Sequence, residues 1–196
     1  MRKNIIFLLV FMPFLFTRCN VTDYVTHQYD QVKKENRTTL HVFLQYPEER
    51  YNSFYSSKKE FVKDVHQNGT VTYRVFDQLK MTPDSYPLSD TLYIILNNSL
   101  AWPIVMKQVS TSVFHNTQTQ TEQVVKNDST QATVVSGITQ NEYKNIQFQY
   151  TLSPKQINAL RNIGSVAFRY YAGPETITLK LPNSTLRKLK KLIATN

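Results

Sequence analysis

The sequence predicts an α+β fold in which an antiparallel β-sheet is covered on one face by two helices late in the chain. Segments in which apolar and polar residues alternate, as they do in half-buried strands, recur from residue 39 to residue 181. The helix-start signals lie after residue 150, so the chain lacks the regular strand-helix alternation that builds a parallel sheet. With 196 residues, of which 41% are hydrophobic, the chain can bury a core of the size that such a fold needs.

The first predicted strands include a hairpin. Residues 39–44 alternate, with Leu40, Val42 and Leu44 on one face. Two further alternating segments, 61–65 and 71–75, flank Asn68-Gly69, which is a strong hairpin signal because both residues tolerate a positive φ angle. We therefore expect three strands here, the last two joined by a tight turn.

The middle of the chain also has the composition of strands. Residues 91–96 are almost entirely apolar, which predicts a central strand buried on both faces. Residues 101–138 are rich in Val, Thr and Gln, and few Gly or Pro residues interrupt them. This composition predicts long, partly exposed antiparallel strands with a turn at residues 127–129.

The first predicted helix begins after Ser153. Ser153 as N-cap, Pro154 at the first helical position and Gln156 at the third form a capping box, and Gly164 is the expected stop. Two alternating segments, 166–170 and 177–181, then flank the turn residues Gly173 and Pro174, which predicts a second hairpin.

The last predicted helix opens at Pro182 and Asn183. Its apolar residues fall on one stripe, which should face the sheet: Leu186, Leu189 and Ile193. Its cations fall on the opposite side, which should face water: Arg187, Lys188, Lys190 and Lys191.

The N-terminus has the pattern of an export signal. Arg2 and Lys3 precede an apolar run over residues 5–16, which is short for a membrane-spanning helix of roughly 20 residues. Cys19, the only cysteine, follows this run directly. Residues 15–19 resemble a lipobox, although Arg18 stands where that pattern has a small residue. The resemblance is to the small envelope lipoproteins of Bacteroidetes, and it implies that residues 1–18 are removed and that Cys19 carries lipid.

The predicted domain organisation follows from the polarity of the next segment. Residues 19–37 are polar and show no sustained period, so we expect a flexible tether there. A single α+β domain should then occupy residues 38–196.

The usual enzyme motifs are missing from the sequence. A single Cys excludes a disulfide framework, and the four His residues, at 27, 41, 66 and 115, do not form a helical metal-ligand pair. The four Gly residues are scattered, so no phosphate loop or nucleophile elbow can be written. Residues 56–59 match Ser-x-x-Lys without its companion motifs. We therefore expect no catalytic residue, metal ion or cofactor, and we favour a binding role over an enzymatic one.

Two surfaces are candidates for contacts with a partner. Strand alternation does not account for an aromatic cluster after the first strand, which consists of Tyr46, Tyr51, Phe54 and Tyr55. The chain has 23 basic and 14 acidic side chains, a net charge of +9, and the four cations of the last helix could contact an anionic envelope polymer. Nucleic acid is not an expected partner, because an exported protein meets little of it.

Taken together, these patterns predict an exported protein anchored by lipid at the outer membrane or periplasmic face, with a non-enzymatic binding or scaffolding role. One alternative is a hydrolase of envelope polymer or glycan, whose carboxylates are brought together only by folding. The other is a secreted interaction protein without a lipid anchor.

Overall fold

The computed structural model describes residues 23–45, 53–125 and 131–195, which form ten antiparallel strands and two helices. The two helices come late in the chain, so the predicted α+β class is confirmed. The elements are, in chain order, β1 (Tyr24–Asp30), β2 (Glu35–Gln45), β3 (Phe54–His66), β4 (Val71–Met81), β5 (Thr91–Leu96), β6 (Leu100–Val105), β7 (Lys107–Val125), β8 (Gln131–Thr151), α1 (Pro154–Arg161), β9 (Val166–Ala172), β10 (Glu175–Lys180) and α2 (Asn183–Ala194).

The strands form two sheets where the sequence analysis described one. The larger sheet has the order β1-β2-β3-β4-β8-β7 and the smaller one β10-β9-β5-β6. Their inner faces meet through aromatic side chains: the ring centroids of Phe61 and Phe168 are 6.0 Å apart, and those of Phe148 and Tyr170 are 5.8 Å apart. Strand alternation predicts which residues face inward, but it does not say which strands pair.

Both helices lie on the face of the larger sheet that the smaller sheet also covers. In α2 the stripe of Leu186, Leu189 and Ile193 is buried, as predicted, and Leu192 is buried with it. The hydroxyl of Tyr73 on β4 donates to the Ile193 carbonyl at 3.4 Å, and the Lys63 ammonium on β3 donates to the Thr195 carbonyl. The end of α2 is thus held against the central strands.

The capping box of α1 is present as predicted. The Ser153 hydroxyl accepts from the Gln156 N–H at 3.3 Å, and the Ser153 N–H donates to Gln156 Oε1 at 2.7 Å. The helix ends at Arg161, before the predicted stop at Gly164. The Gly164 N–H donates instead to Asn97 Oδ1 at 2.9 Å, which ties this loop to the β5–β6 turn.

The turn between β3 and β4 is found where it was predicted, with a different conformation. Only Gly69 has a positive φ, of 81°. Asn68 stabilises the turn through its side chain, which accepts from the Thr70 N–H at 2.9 Å.

The prediction that β5 is buried on both faces is wrong. Its residues alternate between buried and half-buried, because only one face of the smaller sheet meets the core.

The prediction that residues 19–37 form a flexible tether is wrong for residues 24–37. Here β1 pairs with β2 over its whole length, from Tyr24 opposite His41 to Asp30 opposite Glu35. The residue before β1 is bonded to α2: Asp23 accepts from the Thr185 hydroxyl through its carboxylate and from the Lys188 ammonium through its carbonyl. An edge strand with both faces largely exposed needs no apolar period, so the sequence pattern did not reveal it. The predicted signal segment and Cys19 lie outside the described residues.

Candidate functional site

The longest two strands project beyond the larger sheet as a two-stranded ribbon. β8 pairs with β4 only from Lys144 to Thr151, whereas its pairing with β7 continues to Gln131, opposite Val125. Residues 115–125 and 131–142 therefore pair only with each other. At about 3.3 Å per residue the ribbon extends roughly 35 Å.

The ribbon exposes apolar side chains on one face. Val135 is 60% and Ile138 63% exposed, and Val113 at its base is 48% exposed. Val135 lies opposite Thr121 of β7, and Ile138 lies opposite Thr119. Both threonines are an even number of residues from Val113 along β7, so all three apolar side chains project from the same face. An isolated two-stranded ribbon is only marginally stable in water, so this exposed apolar face is a candidate surface for contact with a partner.

The free edge of β7 carries few of the features that protect exposed edges against pairing with another chain. β7 is the last strand of its sheet, and no further strand in the described part of the chain pairs with it. From residue 108 to residue 125 its sequence contains no Lys, Arg or Pro, the residues that commonly block exposed edges. The ribbon can therefore accept a further strand through main-chain hydrogen bonds.

Aromatic residues lie at the base of the ribbon, on the face opposite Val113. The rings of Phe114 and Tyr143 stack at 5.2 Å, and Lys80 Nζ lies 3.7 Å from the centroid of Tyr143 and 5.9 Å from that of Tyr55. Tyr55 is 48% exposed. On the same face of the sheet, a cavity of about 280 Å³ is lined by Lys58, Glu60, Phe76, Gln78, Gln147 and Gln149.

The predicted aromatic patch is found only in part. Tyr55 joins the base of the ribbon, but Phe54 is 7% exposed and belongs to the core, so its assignment to a contact patch is corrected. Tyr46 and Tyr51 lie outside the described residues. Sequence reasoning missed Phe114, Tyr143 and Lys80, which come together through the β4–β8–β7 register.

The basic face of α2 is less uniform than predicted. Arg187 and Lys191 are exposed, whereas Lys188 and Lys190 are half-buried. The prediction that Lys188 faces water is wrong, because its ammonium donates to the carbonyl of Asp23.

Two acidic residues that folding brings together are held by arginines. Arg37 donates to Asp64 at 2.7 Å and to Glu35 at 2.9 Å, and Arg74 donates to Asp64 at 2.5 Å. Burial alone would raise the pKa of Asp64, but these hydrogen bonds and charges hold it below its usual range. A general acid needs the opposite shift, so Asp64 gives no support to the predicted hydrolase alternative.

A second charged cluster is sealed between the two sheets. The Lys59 ammonium donates to Asp77 Oδ2 and to the Tyr170 hydroxyl at 2.7 Å, and the Tyr170 hydroxyl donates to the same carboxylate oxygen at 2.8 Å. Burial lowers the pKa of Lys59, and burial together with the charge of Asp77 raises the pKa of Tyr150 and Tyr170 well above the usual value.

The predicted turn did not identify the partner of Lys59. A two-residue Asn68-Gly69 turn would place Lys59 opposite Gln78, whereas in the observed register residues equidistant from Asn68 pair and Lys59 lies opposite Asp77. The Ser-x-x-Lys match at residues 56–59 lies on strand β3. Ser56 and Lys59 project from opposite faces of this strand, so the lysine cannot activate the serine.

Comparison with known proteins gives no family for the chain: no protein-family model matches it, and no curated protein is similar to it in sequence. Within the described ranges, no group of three or more His, Cys, Asp or Glu side chains is placed to hold a metal ion. None of the helices described is long and apolar enough to cross a membrane.

Proposed function

We propose that the chain is an exported, lipid-anchored protein of the bacterial envelope that binds a partner protein through the β7–β8 ribbon and does not catalyse a reaction. The observation that carries this proposal is the ribbon itself, with its free β7 edge and its exposed Val135 and Ile138. The anchor in this proposal is a lipid on Cys19.

The ribbon supports binding by strand addition. A partner strand that pairs with its edge gains main-chain hydrogen bonds, while alternate side chains determine which sequence fits. Binding on the exposed apolar face would also remove Val135 and Ile138 from water, which favours association. The aromatic residues at the base, Phe114 and Tyr143, lie on the opposite face of the ribbon from Val135 and Ile138 and would form a separate contact region beside the body of the protein.

The start of the described chain is compatible with a short anchor. Cys19 precedes Asp23 by four residues, which reach at most about 15 Å when fully extended. Asp23 is bonded to α2, so a lipid on Cys19 would hold the α2 end of the protein close to the membrane surface.

The anchor is tested by replacing Cys19 with Ser. We expect the parent protein to fractionate with membranes and the Cys19→Ser variant to be released, since the variant has no thiol to acylate. A Cys19→Ser variant that stays with membranes would contradict the lipid anchor. A parent protein found free of membranes would favour the secreted alternative.

Binding by the ribbon is tested by photo-crosslinking in intact cells. A photoreactive side chain at Thr119 or Ile138 should give discrete crosslinked species, and the same group at Lys155, an exposed position on α1, serves as the control. Ribbon positions that crosslink no more than Lys155 would overturn the proposed binding role.

A further inference from the structure

We propose that the partner of the ribbon is a second copy of this chain, which pairs with the free edge of β7 in antiparallel orientation about a two-fold axis at His115. This inference rests on the proposed function and names its partner. The resulting interface would be isologous, so it would close at a dimer and leave no β7 edge open.

The β7 edge is where two copies can approach each other without electrostatic repulsion. The whole chain carries a net charge of +9, of which +3 lies in the predicted signal segment, so the anchored form carries +6, which disfavours contact between copies over most of the surface. Between Lys107 and Glu122, however, β7 contains no Asp, Glu, Lys or Arg. This uncharged segment is long enough to form an extended ladder.

The charges at the two ends of this segment select one orientation and one register. Glu122 lies seven residues after His115. Lys107 lies eight residues before it, but the register shift between Gln108 and Ser110 leaves one of these residues unpaired. Counted in paired positions, Lys107 and Glu122 are therefore equally far from His115, seven positions on either side. Antiparallel pairing about His115 therefore places Lys107 of each copy opposite Glu122 of the other. Parallel pairing in register would place like charges together.

The faces of the strand agree with this register. Lys107 lies opposite Gln149, which projects from the same face of β8 as Gln147. Ser110 lies opposite Gln147, and Glu122 is an even number of residues after Ser110, so it projects from that face as well. Both charged side chains thus project from the same face, as a cross-strand ion pair requires. On the other face the exposed Val113 would lie opposite Thr117 of the second copy, a pair of β-branched residues that suits a sheet.

The axis itself is compatible with close approach. The two His115 side chains would face each other there, but each already has a partner in its own chain, because His115 Nδ1 lies 2.8 Å from Glu142 Oε1. The facing imidazoles are thus each accompanied by a carboxylate.

Charge reversal tests both the partner and the register. We expect the detergent-solubilised full chain to sediment as a dimer at low salt. Lys107→Glu would place two carboxylates opposite each other, at positions 107 and 122, at both ends of the interface. Their repulsion should raise the dimer dissociation constant roughly three- to thirty-fold. The double variant Lys107→Glu/Glu122→Lys should restore dimerisation, and Lys155→Glu, with the same change in net charge away from the ribbon, should leave it unchanged.

Disulfide trapping tests the register directly. In a Cys19→Ser background, which removes the only native thiol, a Val113→Cys copy mixed with a Thr117→Cys copy should crosslink roughly tenfold more than either copy alone, since only the mixed pair falls within the 7 Å Cα limit of a disulfide. Equal crosslinking by the mixed and single variants would overturn the proposed register.

A monomeric parent chain, or a double reversal that fails to restore the dimer, would overturn self-pairing. If Thr119 or Ile138 then crosslinks to a different protein, the ribbon still binds a partner and only the identity of that partner is wrong. If neither position crosslinks above the Lys155 control, the proposed function fails as well.

Discussion

At the scale of single residues, the ion pair between Lys59 and Asp77 is the most demanding feature of the core. Both side chains are fully buried, and Asp77 Oδ1 has no hydrogen-bond partner within the described residues. Lys59→Met leaves a buried carboxylate without its counter-charge, so we expect it to lower the free energy of unfolding by about 3–5 kcal/mol.

Replacing both members should have a much smaller effect. The double variant Lys59→Met/Asp77→Leu removes both buried charges, and we expect it to be near neutral or about 1–4 kcal/mol more stable than the parent. Urea unfolding of the two single variants and the double variant measures the coupling between the residues. A double variant as unstable as Lys59→Met would show that the pair contributes net stability.

Asp64 makes the stability of the protein depend on pH. Its pKa is lowered in the folded state, so its contribution is fully present above its unfolded value of 3.8 and is lost as the pH falls through the folded value. Asp64→Asn weakens the charge-assisted bonds from Arg37 and Arg74 and should cost about 1.5–3 kcal/mol at pH 7. The difference from the parent should shrink below pH 3.8, as followed by unfolding at several pH values. A difference that stays constant into acid would contradict this role.

Residue-scale contacts were only partly predictable from the sequence. The capping bonds of Ser153 and Gln156 join neighbouring residues, so local chemistry was sufficient to find them. The contact of Lys80 with Tyr143 joins β4 and β8, and it depends on a register that no local pattern encodes.

At the scale of elements, two glycines with positive φ differ in what surrounds them. Gly173, at a φ of 56°, ends β9 in a turn where an added Cβ would lie 2.6 Å from Cγ of Tyr86, whereas Gly69, at 81°, has nothing within 4 Å. Gly69→Ala should cost about 1–2 kcal/mol, the cost of a left-handed residue with a side chain. Gly173→Ala should cost more in the same denaturation experiment, because Tyr86 must also move. Equal losses would mean that Tyr86 moves freely.

The elements that could be predicted are those that bury one face. α2 and β9 show the period of their buried stripe, and both were found close to their observed bounds. β1 was missed because it is held by main-chain pairing with β2 and by no apolar face. The ribbon was recognised as long exposed strands, but its projection follows from the end of β4 at Met81.

At the scale of the whole molecule, the ribbon is an appendage to a separately stabilised body. Among the side chains that the structure describes, none from residues 115–125 or 131–142 belongs to the buried apolar cluster. Replacing residues 117–140 with Asn-Gly would join the paired Asn116 and Asn141 by a two-residue turn. At low protein concentration we expect the free energy of unfolding to change by less than about 0.5 kcal/mol, because the described side chains that are removed lie at the surface and contribute none to the buried apolar cluster.

The shortened variant separates folding from binding. It should unfold in urea like the parent but fail to dimerise in sedimentation experiments. A large loss of stability would instead show that the body depends on the ribbon.

The hydrogen bonds from α2 to Asp23 have a mechanical consequence. A force applied to the chain ahead of β1 would arrive at the open end of the β1–β2 hairpin, where it could part the strands one pair at a time, starting at Tyr24 and His41. Asp23 stands before that point and is bonded to Thr185 and Lys188, so the load passes first into α2. Because Leu186 and Leu189 of that helix are buried in the core, the whole packed body resists the pull before the edge strand begins to peel.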